Sequence, residues 1–107
     1  MACYLFQAAY TPEALAKLIQ KPEDRVKVVS QAIEKLGGRV ISGWFCFGEY
    51  DVVLISELPD NITAAAFAIA AAAGGALKAN KTTPLFGADE TQQIYRKAGQ
   101  AGYRPPK

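Results

Sequence analysis

The spacing of apolar positions along this chain changes several times, and each change marks the border of an element. Cys3 to Ala9 reads as a first strand, Cys-Tyr-Leu-Phe-Gln-Ala-Ala. Thr11-Pro12-Glu13 then supplies a capping oxygen, a proline for the first helical position and an acid for the first turn. That predicts a short helix to about Gln20, where Lys21-Pro22 interrupts it. Pro22-Glu23-Asp24 restarts a helix in which Val26, Val29, Ile33 and Leu36 recur at the spacing of an amphipathic stripe. Lys35 falls in its last turn, and Gly37-Gly38 predicts a left-handed C-cap.

A hairpin is expected next, with strands Val40–Phe47 and Tyr50–Glu57 on either side of Gly48-Glu49. A Gly-X pair suits a tight turn of the II′ type. Val52-Val53-Leu54-Ile55 is apolar on consecutive residues, so this strand is expected to hide both faces. Helices can cover one face, and a second copy of the chain is the most economical cover for the other. Pro59-Asp60-Asn61 reads as a turn into a helix from about Ile62 to Ala73, which holds eight alanines and only Ile62, Phe67 and Ile69 as bulky apolar residues. Gly74-Gly75 closes it. Ala76 to Phe86 reads as a fourth strand with Leu77, Ala79, Lys81 and Thr83 on one side, and Pro84 marks an edge or a bulge. A last helix is expected over about Ala88 to Gly99, before a flexible polar tail over residues 100–107.

The order β-α-β-β-α-β plus a terminal helix is the ferredoxin-like pattern of the α+β class. Right-handed crossovers give a four-stranded antiparallel sheet ordered 4-1-3-2 with both main helices on one face. Residues 1–99 then form a single domain, consistent with the 107-residue length. Cys3 is placed on a central strand and Cys46 on an edge strand that is not its neighbour, so no internal disulfide is expected. Both cysteines are read as small buried hydrophobes.

Charge and composition narrow the function classes. The net charge is +2 and the basic residues are scattered, which argues against a nucleic-acid binder. Neither a secretory signal nor a membrane span is expected: the start lacks a basic region, and the low-polarity run from Ala64 to Leu77 is too short. A cytoplasmic protein is the expectation. There is no histidine, which removes the usual general base and the commonest metal ligand, so neither a metal nor a cofactor is expected. Any enzyme on this chain has to work with Tyr, Asp, Glu, Lys or Arg.

From Phe47 to Val53 the chain resembles the GYD-domain family of small bacterial and archaeal proteins. The matching residues are Thr11, Pro22, Arg25, Gly37-Gly38, and Gly48, Tyr50 and Asp51, within a resemblance that covers roughly residues 4 to 95. The chain departs from the pattern at Ala14, where a glycine is common. The resemblance implies a dimeric α/β-barrel arrangement, two ferredoxin-like sheets packed face to face. It implies no particular biochemical role.

The candidate site residues cluster, on this reading, beside the hairpin turn. Tyr50 and Asp51 are adjacent on a strand and point to opposite faces. With Tyr4, Tyr10, Trp44 and Phe45 they offer an aromatic pocket with a carboxylate on its rim. The alternative is structural: Asp51 secures backbone N–H groups and the aromatics pack as core. Arg25 and Arg39 suit bidentate capture of an anion or serve as solvated charges. Lys81 matters only if it faces inward. Gly74-Gly75 follows a helix instead of opening one, so it is no phosphate loop. Three functions stay open: a homo-oligomeric module binding a small organic ligand, a cofactor-independent monooxygenase or isomerase using Tyr and Asp, and a regulatory or structural interaction protein.

Overall fold

In a computed structural model describing residues 1–107, the chain forms β1 (Ala2–Tyr10), α1 (Pro12–Gln20), α2 (Arg25–Lys35), β2 (Arg39–Phe45), β3 (Val52–Leu58), α3 (Asn61–Ala73), β4 (Leu77–Leu85) and α4 (Ala88–Gln100). The sheet runs β2-β3-β1-β4, antiparallel at every junction, which is the expected ferredoxin-like order. Local chemistry sets the helix ends. Thr11 Oγ1 accepts from Ala14 N, Asp24 Oδ1 from Lys27 N and Asp60 Oδ1 from Thr63 N, each satisfying a donor the helix cannot use. At the end of α2, Gly37 takes a positive φ of 86°, while Gly37 N and Gly38 N return to Glu34 O and Ile33 O. This is a Schellman close, which an L side chain at Gly37 would strain.

One face of the sheet carries the core. Tyr4, Phe6 and Tyr10 of β1 and Val52, Leu54 and Leu58 of β3 meet Ile33 of α2 and Ala64 and Phe67 of α3. Phe6 is the hub: it stacks on Tyr4 at 6.1 Å and meets Phe67 edge-on at 5.0 Å. Helix α2 comes down on the sheet at Gly43, where an added Cβ would stand 2.7 Å from Val26 and 2.8 Å from Leu54.

Three expectations are corrected. The hairpin does not close in two residues: Phe45 and Val52 are its last pair, and residues 46–51 form the loop. The sixth of these, Asp51, bridges the two sides, its N donating to Ala8 O of β1 at 2.8 Å while its carbonyl accepts from Cys46 N. Cys46 therefore lies exposed in that loop, not buried in a strand. Leu77 is not on the side of Ala79, Lys81 and Thr83. A register shift between Ala9 and Tyr10 brings Leu77 opposite Tyr10, and it packs against the core.

The opposite face of the sheet is uncovered within one chain. Leu5, Val53, Ile55 and Leu85 are half-buried there, and Trp44 is 69% exposed. The apolar run Val52–Ile55 thus has one face in the core and one open. Helix α4 buries no residue. The radius of gyration is 17.0 Å, against about 13 Å for a compact chain of this length.

Candidate functional site

The gap between α2 and α3 holds a cavity of about 520 Å³. Its floor is Phe6, Ala8, Val52 and Leu54 of the sheet. Val28, Val29 and Ala32 form one wall, and Phe67, Ala68 and Ala71 the other. The alanines explain the gap. Both helices rest on the sheet, but a methyl group is too short to reach from α3 to α2, so the space between them stays open. At the β4 side, Asn80 Nδ2 donates to Ala68 O at 3.1 Å and ties the strand to the α3 wall.

Fifteen of the 22 lining residues are hydrophobic, and none is Asp or Glu. Arg25 and Lys35 stand near opposite ends of α2, about 15 Å apart along the helix at its usual rise. Lys81 sits opposite Gln7, which directs its side chain to the other face of the sheet. A shallower depression of about 340 Å³ lies next to the cavity, beside the hairpin loop, and includes Pro22, Glu23, Phe45 and Asp51. Tyr10 and Arg25 line both hollows and form the divide between them.

Arg25 is half-buried, and its Nη1 donates to Glu23 Oε1 at 2.8 Å. That bond chiefly strengthens its hold on the proton. Partial burial opposes the effect, and the nearby Tyr10 hydroxyl adds to it. Asp51 has a different task. Its Oδ2 accepts from Tyr10 N at 2.9 Å, its own N donates to Ala8 O, and its carbonyl accepts from Cys46 N at 2.9 Å. Tyr10 N points to the β3 side of β1, beyond the last β1–β3 pair at Ala8 and Val52, and the Asp51 carboxylate supplies its acceptor.

Of the eight residues singled out from sequence, the fold brings Tyr10, Arg25, Phe45 and Asp51 together around the depression, and the other four lie elsewhere. Tyr4 is 1% exposed in the core, and its hydroxyl donates to Asn61 Oδ1 at 2.7 Å. Burial, with a smaller effect from Asp60, raises its pKa and keeps the phenol protonated. Trp44 is on the open face of the sheet, opposite Val53. Arg39 is exposed and paired with Glu57, Nε to Oε1 at 2.6 Å. Tyr50 lines neither hollow, and its carbonyl accepts from Cys46 Sγ at 3.2 Å. The cavity between the helices escaped the sequence reading, although the alanine run of α3 was its signal.

Residues 4–95 match the model of the GYD domain. The chain belongs to that family. No curated protein matches it. Among solved structures, this GYD domain is similar to MtbAldR, with a TM-score of 0.58 and 17% identity over 80% of this chain and 53% of that one. The chain thus spans about half the length of that protein. It is also similar to TTHA0845 from Thermus thermophilus, with a TM-score of 0.54 and 18% identity over 82% of this chain and 96% of that one. At these identities the likeness is one of fold.

Proposed function

We propose that this GYD domain is the subunit of a homo-oligomeric binding module that holds a small organic molecule between α2 and α3. The cavity carries the proposal: about 520 Å³ is within the range of small-molecule sites, and its lining is apolar with a few polar groups. Of the residues read from sequence, Tyr10 and Arg25 are assigned to the ligand and Asp51 to the frame that holds them. Leucine at Ala71 would fill the cavity from its α3 wall. Wild type is expected to enhance the fluorescence of the neutral dye N-phenylnaphthylamine, and Ala71→Leu to abolish that enhancement without lowering the melting temperature. A wild-type chain that leaves the dye dark, or an Ala71→Leu chain that binds it unchanged, would overturn the reading.

Self-association rests on the open sheet face. Only 11 of 107 residues are buried in the single chain, and 15 large apolar side chains are exposed, Trp44, Phe45, Phe47 and Ile94 among them. Soluble monomers rarely leave large contiguous apolar patches bare, and an open sheet face that carries Leu5, Val53, Ile55 and Trp44 supports an interface there. A second copy packed on Leu5, Val53, Ile55 and Trp44 would cover it. Light scattering at micromolar concentration tests this, and a mass of 11.5 kDa would refute it. The two free cysteines suit a reducing cytoplasm, and no helix is long and apolar enough to cross a membrane.

A further inference from the structure

The cavity's charges all have one sign, while the nearest carboxylate stands outside it. Arg25 lines both the cavity and the neighbouring depression, whereas Glu23 lines the depression alone. We propose that the cavity takes an apolar monocarboxylate, whose carboxylate replaces Glu23 on Arg25 while its apolar body lies on the Phe6 floor against the Phe67 wall. The inference rests on the reading of the cavity as a small-molecule site and names the ligand class.

Four observations carry it. None of the lining residues is acidic, so a carboxylate entering the cavity meets no like charge from the lining side chains. The guanidinium has donors to spare: Nη1 is engaged by Glu23, and the Tyr10 hydroxyl is the one other side chain that acts on the group. A planar fork with free donors on one side is suited to bidentate capture of a carboxylate. The partner to be displaced is weakly held, because the Glu23 side chain is 50% exposed and that of Arg25 29% exposed. Ion pairs this open to water are worth little and exchange readily. Glu23 thus stands in for the ligand, occupying the anion position from outside while the apolar cavity stays free. A single arginine at this end matches a single negative charge, and the remaining lining suits a hydrocarbon or an aromatic ring.

Displacement of N-phenylnaphthylamine by decanoate and by decanol, at submicellar concentrations, separates the ligand class from the site. Decanoate is expected to displace the dye from wild type at about tenfold lower concentration than decanol, the scale of one charge-assisted contact. Arg25→Gln should bring the two to equal potency, and Glu23→Gln should widen the preference for decanoate severalfold. A gain of affinity in Glu23→Gln cannot come from a misfolded chain, which guards against a trivial loss in Arg25→Gln. Equal potency on wild type, or a preference that survives Arg25→Gln, overturns the carboxylate inference while dye binding leaves the cavity reading intact. A dye that fails to bind removes both.

Discussion

Asp51 offers the sharpest test of how this fold is held. Its carboxylate accepts the N–H of Tyr10 at 2.9 Å, at the place where the β1–β4 ladder changes register. Tyr10 is 6% exposed, so an N–H released there has little access to water. In Asp51→Ala the two backbone bonds of residue 51 survive and only the side-chain acceptor disappears. Hydrogen bonds to charged groups contribute about 1.5–3 kcal/mol, and a buried donor left unsatisfied costs about 1–3 kcal/mol. Asp51 is itself half-exposed, so the lower half of that range applies, and a loss of about 2 kcal/mol is expected. For a domain of this size, about 4–8 °C per kcal/mol places the fall in melting temperature near 10 °C. Asp51→Asn keeps an acceptor oxygen but loses its charge, so a fall of about half that size is expected. Thermal unfolding followed by circular dichroism reads both, at one protein concentration so that self-association does not shift the comparison. Dye affinity per folded molecule should stay within about twofold, since the fall is an effect on the frame. A melting temperature within about 2 °C of wild type for Asp51→Ala would refute the structural assignment, and lost dye binding with unchanged stability would make Asp51 a ligand group.

Gly43→Ala should destabilise the fold by about 1–3 kcal/mol, because its methyl group would overlap Val26 and Leu54. Adding Val26→Ala should relieve part of the strain, and strictly additive losses in the double mutant would rule out the overlap as the cause. The Ser56 hydroxyl is fully buried without a hydrogen-bond partner, so Ser56→Ala should stabilise by about 1 kcal/mol in a denaturant titration. A loss of stability in that variant would mean the hydroxyl has a partner. Asp60 caps α3, and its bonds to the Thr63 hydroxyl and backbone N–H lower its pKa. Its contribution is therefore complete above the ordinary carboxylate pKa and lost as pH falls through the lowered one. The melting-temperature gap between wild type and Asp60→Ala should be constant near neutrality and close as pH falls below the ordinary carboxylate range, and a gap unchanged by acidification would contradict the cap.

Sequence by itself determined the elements, their order and the family. Thr11, Asp24 and Gly37-Gly38 fix helix ends through bonds to residues three to five positions away, so those signals are complete within a short segment. Alternation and turn residues then gave the strands, and right-handed connections left one economical sheet order. What lies between elements was settled only by the tertiary structure. The Gly48-Glu49 pair has the composition of a tight turn, yet residues 46–51 form a loop whose last residue, Asp51, is bonded to β1, more than 40 residues away. The register shift beside Tyr10 turns Leu77 from one face of the sheet to the other, and no local pattern in β4 encodes it. The same distinction separates Tyr10, Arg25, Phe45 and Asp51, which meet, from Tyr4, Trp44, Arg39 and Tyr50, which the fold disperses. The cavity itself is a property of two helices set on one sheet with alanines between them. Its volume depends on how far apart the sheet holds those helices, a distance fixed by contacts remote in sequence and therefore invisible to any pattern within α2 or α3.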